Sequence, residues 1–134
     1  MVTVDDVRSV LADLPRSYEV VVRGRIKFRV GQIVYVAFSH DQTLMGFGFP
    51  KFEREYLVQS DPDTFILPDG HDMRFNWVVA RMRRLHRDEM PGYVIDAWSL
   101  CVPQYLSRPF RADAPPQAGY PASGADGAPG PGPV

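Results

Sequence analysis

The sequence predicts an α+β domain, on three observations. A helical pattern opens the chain, a long run of period-two alternation follows, and a second helical pattern precedes a Pro- and Gly-rich end. Strands grouped apart from helices are the mark of that class. With 134 residues, 45% hydrophobic and 23% charged, the chain is the size of one domain with a packed core.

Thr3-Val4-Asp5-Asp6 reads as a helix start. Thr3 suits the N-cap, and the two acids suit the positive end of the helix dipole. Val4, Val7, Val10, Leu11 and Leu14 recur at helical spacing, and Pro15 ends the segment. Val22, Gly24, Ile26, Phe28 and Val30 then alternate with Arg23, Arg25, Lys27 and Arg29, which predicts a strand with one apolar and one basic face. Beyond Gly31-Gln32, Val34, Val36 and Phe38 alternate with Ile33, Tyr35, Ala37 and Ser39. An odd loop sets Val30 opposite Val34, Phe28 opposite Val36 and Ile26 opposite Phe38, and makes one face apolar throughout. A three-residue or bulged hairpin around Gly31 is therefore expected. Ser39 to Gln42 forms the next turn, and Thr43 to Phe49 a third strand.

Pro50 stops this meander. Lys51 to Gln59 reads as a short helix with Phe52, Tyr56 and Leu57 turned inward. Thr64 to Leu67 and Asn76 to Leu85 read as two further strands. In the last helix, Asp88 as N-cap puts Pro91 at the third helical position, where its missing N–H costs nothing. Met90, Val94, Ala97, Trp98 and Cys101 form its buried stripe.

From Ala112 onward Pro and Gly dominate and large apolar residues almost vanish. Such a segment cannot offset its ordering entropy by burial. Residues 1–111 are expected to form the domain and 112–134 a disordered tail. Cys101 is the only cysteine, which excludes a disulfide framework and any zinc site on paired cysteines, and predicts a buried structural thiol. No basic and apolar leader opens the chain and no apolar run is long enough to cross a bilayer, so the cytoplasm is the expected compartment. Net charge is −1, which argues against avid nonspecific DNA binding. Two of the acids lie in the tail, however, and leave the body with fifteen cations against fourteen acids.

Several segments together resemble the MmcQ/YjbR family: Thr3 to Leu14, Arg23-Gly24-Arg25 leading into Phe28-Arg29-Val30-Gly31, Glu53-Arg54-Glu55, Asp61-Pro62-Asp63-Thr64-Phe65, Trp77 to Arg81, and Asp96-Ala97-Trp98 with Pro103. The resemblance implies a CyaY- or frataxin-like arrangement, with terminal helices packed on one face of an antiparallel sheet, and a "double wing" DNA-binding role. Two features depart from the pattern. Gly46-Phe47-Gly48 stands where relatives often carry a lysine, which removes one potential phosphate contact, and the Pro/Gly tail lies outside the family. Frataxin-type iron binding does not carry over, because Asp5, Asp6 and Asp13 do not make a dense acidic ridge.

The sequence contains no recognisable catalytic constellation, metal site or cofactor motif. His40, His71 and His86 are isolated and lack metal-ligand spacing. Asp61, Asp63, Asp69 and Asp72 lack the loop pattern and the closing bidentate Glu of a calcium site. Gly46-Phe47-Gly48 lacks the third glycine of a dinucleotide fingerprint. A non-enzymatic protein is expected. Arg23, Arg25, Lys27 and Arg29, at a spacing of roughly 6.6 Å, with Arg81, Arg83 and Tyr35, would give the open face of the sheet six cations and an aromatic ring. That mix suits phosphate contact and stacking, hence a DNA-binding surface. The same residues also suit a solvated face whose Arg stems cover apolar surface. A small-molecule or natural-product sequestering protein, with Trp77, Trp98, Tyr35 and Phe47 around a pocket, is the alternative. A monomer or weak homodimer is expected.

Overall fold

The computed structural model describes residues 1–110, so the expected tail lies outside the described residues. Six antiparallel strands form one open sheet in the order β1-β2-β3-β4-β6-β5. They are β1 (Ser17–Val22), β2 (Arg25–Val30), β3 (Ile33–Phe38), β4 (Leu44–Gly48), β5 (Phe65–Ile66) and β6 (Trp77–Arg81). The helices are α1 (Val4–Leu11), α2 (Arg54–Ser60), α3 (Met90–Ser99) and α4 (Gln104–Ser107), with short 3-10 turns at Gly70–Arg74 and Arg108–Phe110. The fold is α+β, as expected.

The core lies between one face of the sheet and helices α1 and α3. Helix α1 starts as the sequence indicates: the Asp6 N–H donates to Thr3 Oγ1 and the Thr3 N–H to Asp6 Oδ2, a reciprocal capping box. Val4, Val7 and Leu11 are buried beneath it. On α3, Met90, Val94, Ala97 and Trp98 are buried, and the Trp98 indole N–H donates to the Pro15 carbonyl at 2.9 Å, tying the closing helix to the end of the opening segment. The N-cap of α3 is Glu89 rather than Asp88. Cys101 follows this helix half-buried.

The expected single strand through Val22–Val30 is two strands. Arg23 and Gly24 have φ of 54° and 78° and form a two-residue hairpin turn with Val22 opposite Arg25. Positive φ at both central positions matches the twist of paired strands, and the adjoining glycine makes it inexpensive. The next hairpin also has a two-residue loop, Gly31-Gln32, so Val30 opposes Ile33 and not Val34. The extra residue sits inside the ladder instead. Phe28 opposes Val36 while Arg29 opposes Val34, and Tyr35 is the bulged residue. The apolar requirement that predicted an odd loop is met by this bulge, which keeps Phe28, Val36 and Phe38 in one core.

The later elements are shorter than expected. Asn76–Leu85 contributes a strand only over Trp77–Arg81, and Thr64–Leu67 only over Phe65–Ile66. Helix α2 is turned differently: Phe52 is 92% exposed, Tyr56 is exposed, and Arg54 is the buried residue. The cause is a polar one. The Arg54 guanidinium donates to the carbonyls of Phe75 at 2.7 Å, Trp77 at 3.2 Å, and Met73, which fixes the helix by its cationic rather than its aromatic side. No helix among the described residues is long and apolar enough to cross a membrane.

A candidate ligand pocket on the open sheet face

The second face of the sheet carries no helix from α1 or α3. Four consecutive register partners, Lys27, Ala37, Gly46 and Val79, form one row across it from β2 to β6. The segment from Leu67 to Phe75 runs over part of this face, held at its far end by Arg54. Between them lies a cavity of about 290 Å³ bounded by Ala37, Gly46, Val79, Trp77, Arg25 and, from the covering segment, Asp69 and Asp72 among others. Val34, Ala37 and Trp77 form a small apolar cluster here, with Phe75 and Val79 against it.

Trp77 provides the aromatic wall, and Gly46 permits it. A Cβ on Gly46 would stand 2.6 Å from the indole, which is inside any tolerable contact. The space over Gly46 is therefore occupied by a ring. Of the four aromatics expected around a pocket, Trp77 alone lines it. Trp98, Tyr35 and Phe47 belong to the core on the helix side.

The basic residues do not form an open array. Arg23 lies in the β1–β2 turn and Arg83 in the turn after β6, both exposed and neither on a strand face. Arg81 donates to the carbonyls of Pro62 and Asp63, each at 3.1 Å, and so braces the segment before β5. Arg25 donates its Nε–H to the Phe38 carbonyl at 3.0 Å. Tyr35 is buried on the opposite side, where its hydroxyl shares a hydrogen bond with Ser17 Oγ, and burial raises its pKa. The bulge explains its absence from the basic face, because it shifts the side-chain alternation by one residue.

Lys27 and Arg29 are the unusual pair. Lys27 is 1% exposed. Arg29 Nε is buried without a hydrogen-bond partner. Burial lowers the Lys27 pKa from its ordinary value, and the charges of Arg25, Arg29 and Arg23 lower it further, against a weak opposing pull from Asp72. The site thus has a net positive potential at one end of the pocket row.

Arg54, Asp69, Asp72 and the fit of Gly46 against Trp77 were not legible as site features. Their placement depends on contacts 20 or more residues apart, such as that of Arg54 with Phe75 and Trp77. The histidines stay on the surface: His40 packs beside Gly24, and His71 stacks edge-on to Phe75. Among the described residues no group of three His, Cys, Asp or Glu could hold a metal ion.

No family model matches the chain, and no curated protein does. Among solved structures it is similar to the Deinococcus radiodurans protein DR2400, described by its domain of unknown function, DUF419. The two superpose with a TM-score of 0.67 at 19% identity, over 90% of this chain and 96% of that one. The fold is shared with a DUF419 protein. DUF419 is related to the MmcQ/YjbR-like fold; at this identity the likeness shows the fold alone and carries no family, activity or ligand with it.

Proposed function

We propose that this chain is a cytoplasmic, non-catalytic small-molecule binding protein of the MmcQ/YjbR type, with its ligand held between the open sheet face and the Leu67–Phe75 segment. One observation carries the reading. The face expected to present a row of free cations is instead partly roofed, with a cavity of about 290 Å³ walled by Trp77 and bounded by charged groups. Concave sites with an aromatic wall and a few convergent polar groups are where small ligands bind. A flat cation–phosphate surface needs the side chains of Lys27 and Tyr35 in the open, and both are buried.

The test is a ligand screen by amide NMR on the full chain, with Leu44→Trp as a variant that fills the pocket from its β4 wall. Saturable shifts confined to Ala37, Gly46, Ile66–Asp72 and Trp77–Val79, lost in Leu44→Trp, would support the reading. Ligands that shift only residues elsewhere would sink it.

A nucleic-acid reading retains one supporting observation. Arg83, Arg84, His86 and Arg87 bound a second, more open concavity of about 560 Å³, and Arg23 lies at the same end of the strands. On this reading DNA contacts run along the rim of the sheet rather than across its face. Salt-sensitive anisotropy of a labelled duplex that vanishes in Arg83→Ala/Arg84→Ala but survives Leu44→Trp would favour it.

A further inference from the structure

We propose that the free edge of β1 pairs antiparallel with the same edge of a second copy of this chain, joining the two sheets about a two-fold axis. The pocket is walled by β2 to β6 and the covering segment, so this surface is separate from it.

The turn after β1 fixes which of its backbone groups face outward. Arg23 and Gly24 both have positive φ and join Val22 to Arg25 in a two-residue hairpin. Residues flanking such a turn exchange both backbone hydrogen bonds, and bonded pairs recur at every second position from there. Val22, Val20 and Tyr18 therefore bond to Arg25, Lys27 and Arg29, while Val21 and Glu19 turn their N–H and C=O groups away from β2. β1 is the terminal strand of the sheet. Among the described residues, no backbone hydrogen bond from another segment reaches Glu19 or Val21.

The two edges of the sheet differ. At the far edge β5 has two residues, Pro68 follows it, and Arg81 holds the carbonyls of Pro62 and Asp63 ahead of it. β1 has six residues, Ser-Tyr-Glu-Val-Val-Val, with no lysine, proline or bulge. Those are devices by which an edge is kept from pairing. Val21 is 64% exposed and Tyr18 42%, so the strand offers apolar side chains beside its open donors and acceptors.

A second copy is the occupant that fits. With Val20 opposite Val20, Glu19 lies opposite Val21 of the second copy, and Tyr18 opposite Val22. Each Glu19–Val21 pair then exchanges both of its backbone bonds, and the two-fold forms the pair twice. The register with Glu19 opposite Glu19 sets like charges face to face, which is unfavourable. In the favoured register each Glu19 lies diagonal to Arg23 of the second copy, an exposed cation with no ion pair among the described residues. Residues 112–134, rich in Pro and Gly with Val134 as their only β-branched residue, are poorly suited to fill the edge from within the chain.

The experiment is sedimentation equilibrium of the full chain, with amide NMR on the same samples. One strand pair buries well under the roughly 800 Å² per partner of a standard interface, so the range should reach about 1 mM. The expected result is a monomer–dimer equilibrium in which the Glu19 and Val21 amide protons move downfield as concentration rises. Those of Tyr18, Val20 and Val22 are bonded to β2 already and should move less. Val21→Pro removes an outward N–H without taking a bond from β2, and should abolish association. Val21→Glu is the second variant, should proline disturb β1. It sets a carboxylate opposite Glu19 of the second copy twice across the two-fold, and should weaken the dimer about tenfold. A monomer at the top of the concentration range would overturn the proposal. So would a dimer that survives both variants, or one that leaves the Glu19 and Val21 amides unmoved.

Discussion

The indole of Trp77 packs against Gly46 closely enough that a β-carbon there would lie 2.6 Å from ring atoms Cζ2 and Nε1. The two residues are not register partners: Gly46 opposes Val79, and Trp77 opposes Gly48. The ring therefore leans along β4 onto Gly46 and forms the aromatic wall of the pocket. Gly46→Ala should force the indole out of place and cost about 1–3 kcal/mol, the usual range for overpacking. Urea denaturation measures this, and a loss below about 0.5 kcal/mol would mean that the ring moves aside freely.

Arg54 acts as a strap. Its guanidinium reaches the carbonyls of Met73, Phe75 and Trp77 from a helix 19 to 23 residues upstream, at a residue exposure of 5%. Arg54→Met leaves those carbonyls without their donor and should destabilise the domain by about 2–4 kcal/mol. Amide hydrogen exchange between Gly70 and Trp77 should quicken more than in β2 or β3. Arg54→Lys should recover little, since one ammonium cannot reproduce the planar fork. Uniform quickening across the sheet would argue against a local strap.

The alkaline limb of the stability curve should report Lys27. Its folded-state pKa is depressed, first by burial and then by Arg25, Arg29 and Arg23. A depressed lysine means that the unfolded chain binds the proton more readily, so stability rises with pH between the folded pKa and the ordinary lysine value, and is flat in this contribution below both. Lys27→Met should abolish that rise and be more stable at neutral pH by about 1 kcal/mol or more. A variant less stable than the parent at pH 7 would show that the ammonium is already well compensated.

On the acid side the sign reverses. Glu19 is held below its ordinary pKa first by hydrogen bonds from Arg8, with Nε and Nη2 each at 2.8 Å, and Asp6 by the Thr3 backbone N–H. Their contribution is present above the unfolded-state carboxylate range and is lost as pH falls through the depressed folded values. Thr3→Ala should cost about 1 kcal/mol at pH 7 by removing half of the capping box. The Thr3 side chain adds a smaller share to the lowering of the Asp6 pKa, while the backbone N–H remains in the variant, so Thr3→Ala should lose only slightly less stability than the parent on acidification, which thermal melts from pH 7 to pH 3 would measure.

Burial pushes the Cys101 thiol up to about 12. Since the thiolate is the reactive form, a disulfide reagent at pH 8 should modify the folded chain at least about a hundredfold more slowly than the chain in denaturant. Comparable rates in the two states would mean that this part of the fold opens readily.

Much of the fold was legible in local pattern. Thr3 with Asp5 and Asp6 marked the first helix because capping is satisfied within four residues. Val22–Phe38 marked a meander because strand faces alternate at period two. The Met90–Trp98 stripe marked α3 because helical burial repeats at three and four residues. The candidate site was far less legible. Tyr35 read as a neighbour of the cations, yet a bulge placed inside β3 rather than in the loop turned it into the core. Phe52 and Tyr56 read as buried on hydrophobicity, yet three carbonyl acceptors on a distant segment claimed the Arg54 guanidinium and turned the aromatics out.

The sequence by itself determined the fold class, the two terminal helices and the basic character of β2, since each is set by interactions between residues a few positions apart. Only the tertiary structure decided which of those cations are buried, which ring lies over Gly46, and that a segment from beyond β5 roofs the open face. Burial and electrostatic potential sum over everything that packs around a side chain, and most of what surrounds Lys27 and Arg54 comes from strands and loops far from them in the chain.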